Sequence, residues 1–176
     1  MPRPLQGRGV GAGHARPTGT RAIIVVNRGS TMPDKAQLAV DKFVEGYNCA
    51  QSVVFAFHDE CGLSEDAALK VSGGFGGGMG RKQEVCGAVT GGIMILGLRR
   101  DRATRGSPVT EDLFRATREF MDGFAARNGS YLCRDLLSGY DLSSAEGYRR
   151  IVEAGLFAKV CKECVRCAAE MIEKTA

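Results

Sequence analysis

The chain has few histidines, no long apolar run and no acid in its first 33 residues, and each shortage excludes something. The uncharged stretch from Val85 to Leu98 is 14 residues, too short to span a bilayer, so no membrane partner is expected. Ala22 to Val26 is an apolar run of five, below the roughly 7 to 15 residues of a secretory signal core. The two histidines offer little: His14 sits in an irregular N-terminal stretch, and His58, beside Asp59 near a helix end, reads as a surface dipole partner. Spacing supports neither a Ser-His-Asp nor a paired-carboxylate arrangement. The glycine-rich loop matches neither G-x-G-x-x-G nor the phosphate-loop pattern, and no parallel strand precedes it. Only Ala22 to Val26 resembles a strand, so the fold class is all-α, a compact bundle of about six to seven short helices.

The charge is also unevenly placed. Arg3, Arg8, Arg16, Arg21 and Arg28 fall in the first 33 residues, whereas all 20 acidic residues follow them. The net +4 therefore belongs to the N-terminal stretch, and the near-neutral remainder gives no case for nucleic acid. Residues 1–33 mix Gly, Arg, Pro and Thr without periodicity, a composition unable to form a packed core. They are expected to be a disordered arm or an upstream reading artefact with translation starting at Met32, leaving 34–176 as one helical domain large enough to bury a core without disulfides.

What the chain has in abundance is cysteine and glycine. Seven cysteines, an odd number with no signal segment ahead of them, place the protein in a reducing cytoplasm, where cysteines bind metal or do redox chemistry more often than they form structural bridges. Six glycines lie between Gly73 and Gly80, a density suited to positive φ or to close approach by another group. After them, Val85 to Leu98 would form a helix apolar on all sides and therefore central to the domain, with Gly87, Ala88, Gly91 and Gly92 letting neighbouring backbones come close.

Around that centre the spacing predicts further helices. Ala36, Ala39, Val40, Phe43, Val44 and Tyr47 recur at helical intervals and end at Gly46. Asn48 is a natural N-cap for a second helix carrying Ala50, Val53, Val54 and Phe57, and Ser64 caps a short third. Pro108 opens a helix with the stripe Leu113, Phe114, Thr117, Phe120, Met121 and Phe124, ending at Asn128-Gly129. Cys133 opens a short helix, Ser143 or Ser144 caps another, and the last is expected to begin near Val160.

On this reading Cys49, Cys86, Cys133 and Cys161 all stand at helix N-termini, where unpaired N–H groups and the positive dipole end stabilise a thiolate or a metal–thiolate bond. Taken singly, each could equally be a small buried hydrophobe. Cys61 falls at a helix C-terminus and reads as core. Cys161, Cys164 and Cys167 spell C-x-x-C-x-x-C, but Met171 stands where a ferredoxin motif would continue with cysteine, and Cys164, Cys167 and Met171 read as an apolar stripe. Arg81 and Lys82 offer an anion two charges, although a solvated loop explains them too.

Taken together, Tyr47-Asn48-Cys49-Ala50, the loop Gly73 to Gly80, Cys86-Gly87-Ala88-Val89-Thr90-Gly91, Cys133-Arg134-Asp135-Leu136 with Gly139-Tyr140-Asp141, and Cys161 resemble the C_GCAxxG_C_C family, whose name carries a redox assignment. The resemblance covers about residues 35 to 173. It implies a small helical protein whose functional set is Cys49, Cys86, Cys133 and Cys161. A similar domain occurs in split-Soret cytochromes beside haem and an iron-sulfur centre, which implies metal; this chain lacks the haem attachment motif. Cys61, Cys164 and Cys167 are additions to the family pattern.

The expectation is a cytoplasmic redox protein, an oxidoreductase or electron carrier, whose four cysteines hold an iron-sulfur cluster and exchange electrons with an unnamed donor or acceptor. A metal-free alternative has Cys49 and Cys86 cycling between dithiol and disulfide with Cys133 or Cys161 resolving. A third is a structural four-cysteine zinc site, or a helical interaction module without catalysis. The helix faces suit a monomer or a homodimer.

Overall fold

The computed structural model describes residues 34–101 and 103–175. The expectations about the N-terminal segment and the start at Met32 lie outside the described residues. Eight α-helices carry the fold: α1 (Lys35–Val44), α2 (Cys49–Ala56), α3 (Glu65–Ser72), α4 (Gly87–Leu98), α5 (Pro108–Asn128), α6 (Cys133–Leu136), α7 (Ala145–Glu153) and α8 (Lys162–Glu173). Among the described residues the bundle is all-α, as expected, with these eight helices against the six or seven expected. Among the described residues the nearest thing to a sheet is one antiparallel bridge between Val85 and Leu132.

Local chemistry sets most of the boundaries. Asn48 accepts hydrogen bonds from the amides of Ala50 and Gln51 while the Gln51 side chain accepts from the Asn48 amide, a reciprocal capping box that starts α2 at Cys49. Ser64, Ser107 and Ser144 cap α3, α5 and α7 by accepting from the amides of Ala67, Thr110 and Gly147. Gly129, at φ 87°, ends α5 in the left-handed conformation.

The uncharged α4 packs across α2, and α1 and α8 close the bundle around them. The approach of α4 to α2 depends on two glycines. A methyl at Gly91 would lie 3.0 Å from the Ala50 carbonyl oxygen, and one at Gly87 would lie 3.1 Å from the Ala50 amide nitrogen. The main core then fills with Val53, Val54, Phe57, Ile95, Leu96, Phe124, Val165 and Ile172, all fully buried. Each of the larger of these contributes about 1.5 to 3 kcal/mol by leaving water.

The structure corrects two expected stripes. Phe114 is 53% exposed and Val44 is 71% exposed. On α5 burial is confined to Phe120 and Phe124, where α4 and α8 cover the helix, so a regular apolar spacing there exceeds the surface available to receive it.

A second, smaller cluster of Cys133, Leu137, Leu142 and Ile151 forms beside the main core, with Tyr140, Leu156, Phe157 and Cys161 packed against it. The chain reaches it through irregular backbone. Gly73–Phe75 is a 3-10 turn; Gly77 and Gly78 then adopt left-handed φ of 63° and 64°, breaking the path toward α4. Phe157–Cys161 is a π-helical turn running directly into α8.

Candidate functional site

Between the two clusters lies a cavity of about 700 Å³, and Cys49, Cys86, Cys133, Cys161 and Cys164 all line it. Each cysteine arrives by a different local device. Cys49 is the first residue of α2, held by the capping box; Asn48 also donates from Nδ2 to the Gly73 carbonyl at 3.0 Å, tying the start of α2 to the glycine loop. A side chain at Gly76 would occupy the position of Asn48, its Cβ falling 2.6 Å from Asn48 Cβ, so a glycine there is what lets the loop close over the cap.

Cys86 and Cys133 are positioned by each other's backbone segments. The Cys86 amide donates to the Tyr131 carbonyl at 2.8 Å and the Cys133 amide to the Glu84 carbonyl at 2.8 Å, on either side of the Val85–Leu132 bridge. These bonds put the N-cap of α4 next to the first residue of α6. Close packing from the glycine loop completes the fit, since a Cβ at Gly78 would lie 2.8 Å from Cys133 Cβ.

Cys161 departs from expectation. It lies at the end of the π-turn with helical backbone, φ −62° and ψ −40°, and the following amide, Lys162, already donates to the Phe157 carbonyl. It is therefore inside a continuous helical run rather than at an N-terminus, and the dipole argument does not apply to it. The π-turn supplies what the sequence pattern did not show: an extra residue in the turn changes the rotational phase of the helix just before Cys161.

Cys164 does more than the apolar stripe suggested: it is 1% exposed within the main core, and it also lines the cavity. Three residues from Cys161, it shares that helix face, and this i, i+3 spacing was the available signal. Cys167 points elsewhere, accepting a hydrogen bond from Asn128 Nδ2 at 3.3 Å beside Met171. Cys61 packs against the main core, away from the cavity, and burial raises its pKa.

Gln83 is a second residue that sequence reading missed. It is 7% exposed with φ of 59°, and its amide side chain donates to the Tyr140 carbonyl at 2.8 Å and accepts from the Leu142 amide at 2.9 Å. A buried glutamine bonded twice to distant backbone holds the 139–142 turn against the glycine loop. Nothing in its sequence neighbourhood marks such a partner 57 residues away.

The thiols gathered at the cavity shift the ionisation of Cys49, Cys86, Cys133 and Cys164. The neighbouring Cys164 and Cys49 thiols hold the Cys86 thiol well below its ordinary range against the opposing effect of burial. The amides of Ala88 and Val89 act in the same direction, although Cys86 makes no regular capping bond. The neighbouring Cys161 and Cys86 thiols, with burial, raise Cys49 well above the ordinary range. Cys164, whose thiol donates to Asn128 Oδ1 at 3.8 Å, is raised by the adjacent Cys86 and by burial, while Cys133 is pushed up to about 12, mainly by burial. Of these thiols Cys86 is the one whose pKa is lowered, and so the one favoured as a thiolate.

As a donor set, four or five thiols around one space match the chemistry of a cluster-binding site. Among the described residues no three Cys, His, Asp or Glu side chains are grouped so that they could hold a single metal ion, so the thiols are distributed around the cavity rather than closed on one point. No described helix is long and apolar enough to cross a membrane.

No curated protein and no solved structure matches the chain. Residues 47–175 match a family model described as "Putative redox-active protein (C_GCAxxG_C_C)". That span begins immediately before the capped start of α2 and includes all five cavity cysteines, and on it the chain belongs to the C_GCAxxG_C_C family.

Proposed function

We propose that the cavity is a thiol redox centre in which Cys86 reacts as a thiolate and Cys49 is its exchange partner. The observation carrying this reading is that Cys86, at the N-cap of α4, and Cys49, the first residue of α2, line one cavity together with Cys161 and Cys164, in surroundings that lower the Cys86 pKa. When the Cys49–Cys86 bond forms, the Cys86 thiolate and the Cys49 thiol together give up two electrons and the one proton of Cys49, and a bound two-electron acceptor takes the electrons and that proton; the reverse reaction reduces the pair. Cys161, on the same cavity as Cys49, is the candidate to resolve a mixed disulfide.

A second reading has its own support, because Cys49, Cys86, Cys133 and Cys161 come from four separate segments to one cavity. Those four would hold an iron-sulfur cluster, which when bound supplies one-electron transfer. In that case the chain's own contribution is the amide-lined approach of α4 and the glycine loop to the sulfurs, which tunes such a centre.

One preparation separates these readings. Full-length protein purified without oxygen is analysed for iron and zinc, its visible spectrum is recorded, and its free thiols are counted before and after mild oxidation. The dithiol reading expects colourless, metal-free protein that loses two thiols, with the new bond mapped to Cys49 and Cys86. Stoichiometric iron with broad visible absorption would replace it with the cluster reading. Zinc, with unfolding on chelation, would make the site structural.

A further inference from the structure

The thiols are only part of the cavity's lining. Phe43, Tyr47, Tyr148, Phe157, Leu136 and Leu142 add an apolar, largely aromatic surface. A volume of about 700 Å³ is in the range of small-molecule sites and exceeds what exchange between protein thiols requires.

Arg81 is the one charged residue in this lining, and it belongs to none of the ion pairs among the described residues. Its guanidinium lies over the Tyr148 ring, 5.7 Å from the centroid. Its backbone is equally specific. Met79, Arg81 and Gln83 all have left-handed φ, of 63°, 69° and 59°, a conformation that side-chain-bearing residues rarely adopt. Gln83 secures the loop through its bonds to Tyr140 and Leu142. The fold thus holds a strained loop that presents a cation without a carboxylate partner to an apolar, ring-lined space, and strain maintained in this way marks ligand clamps.

We infer that the outer part of the cavity binds a planar, mostly apolar molecule carrying one acidic group, its rings against the aromatic wall and its acid on Arg81, above the Cys86 sulfur. The inference deepens the thiol redox reading by naming the class of acceptor that reaches Cys86, and it rests on that reading for its purpose. Binding itself is measured without turnover.

The test uses full-length protein kept reduced, with two unreactive probes of the same ring size, naphthalene-2-sulfonate and naphthalene-2-methanol, titrated by calorimetry. The sulfonate is expected to bind about tenfold more tightly than the neutral alcohol, the value of one charge-assisted contact. Arg81→Gln should remove that advantage and leave alcohol binding unchanged. Arg81→Gly gives a second variant that relieves the backbone and so cannot be dismissed as misfolded; it should behave in the same way. Bound sulfonate should slow alkylation of Cys86 by iodoacetamide in the unmodified protein. Equal binding of the two probes, undiminished sulfonate binding by either variant, no binding at all, or binding that leaves Cys86 unprotected would each overturn the proposal. Selective binding with no change in thiol count on oxidation would instead uphold it while removing the redox reading beneath it.

Discussion

The main core and the smaller cluster beside it are built by opposite means. The main core joins α1, α2, α4, α5 and α8, regular helices that bury Phe57, Phe124, Ile95, Leu96 and Ile172 completely. The smaller cluster gathers Cys133, Leu137, Leu142 and Ile151 from a one-turn helix, a turn, and α7, with a π-turn closing one side. Cys86 is part of the main core and Cys49 packs against it with Cys164 inside, while Cys133 and Cys161 belong to the smaller cluster. The cavity is the seam. A rigid half thus fixes Cys86, and a half with a small apolar cluster, tied across the seam by hydrogen bonds of Cys133, Arg134, Tyr140 and Leu142 to Gln83 and Glu84, brings up its neighbours. Such a half opens at lower free energy than the whole molecule.

The largest expected effect breaks the rigid half. Phe57→Ala should lower stability by about 3 to 5 kcal/mol through lost burial and a residual cavity, shifting the whole urea transition. A shift below 1 kcal/mol would mean that Phe57 is not central to this core. Leu142→Ala, in the smaller cluster, should reduce global stability by about 2 kcal/mol, at the low end for such truncations. Its distinctive result is faster amide exchange over residues 133–142 with α2 and α4 still protected; uniform acceleration would show that the two clusters open as one.

Gln83→Ala should cost about 1 to 2 kcal/mol, because the Tyr140 carbonyl and Leu142 amide lose their shared partner. Its signature is selective: alkylation of Cys133 should speed up while that of Cys61, which packs on the main core, does not change. Equal acceleration at both thiols would contradict the role of Gln83 as the tie across the seam.

The smallest effect concerns the far side of the main core, where Lys35 bonds Asp59 at 2.7 Å and Glu60 at 3.1 Å, and Arg99 bonds Glu60 at 2.8 Å. The Lys35 hydrogen bond lowers the Asp59 pKa. For Glu60, burial acts upward, but the hydrogen bonds from Arg99 and Lys35 outweigh it. Carboxyls with depressed folded-state pKa values contribute stability above their unfolded pKa, and that contribution is lost as pH falls through the lower folded value. Glu60→Gln should therefore flatten the fall in stability on the acid side of the ordinary carboxylate range and leave amide exchange in the smaller cluster unchanged. Because these groups are partly exposed, the change is modest. An acid-side slope identical in the variant would remove the pair from the account.

Where a residue acts on its own immediate backbone, the sequence was legible. Asn48 and Ser64 as caps, Gly129 as a terminator and the close-packing glycines of α4 all work within a few residues or through their lack of a side chain, so composition and spacing suffice. The same logic fails for Phe114, whose spacing is right but whose helix face has no neighbour to cover it. It fails at Cys161 as well, where a π-turn replaces the helix start that local pattern suggested.

By itself, then, the sequence determined an all-α chain with an uncharged, glycine-stepped helix at its centre and thiols near several helix starts, because periodicity, capping and side-chain size are local properties. Tertiary structure alone decided which thiols meet, that Cys164 is among them, that Gln83 ties the seam, and that Arg81 faces the ring-lined wall of the cavity. These depend on contacts between residues distant in the chain, and no local preference specifies the partner of a side chain whose neighbour arrives only when the two clusters pack.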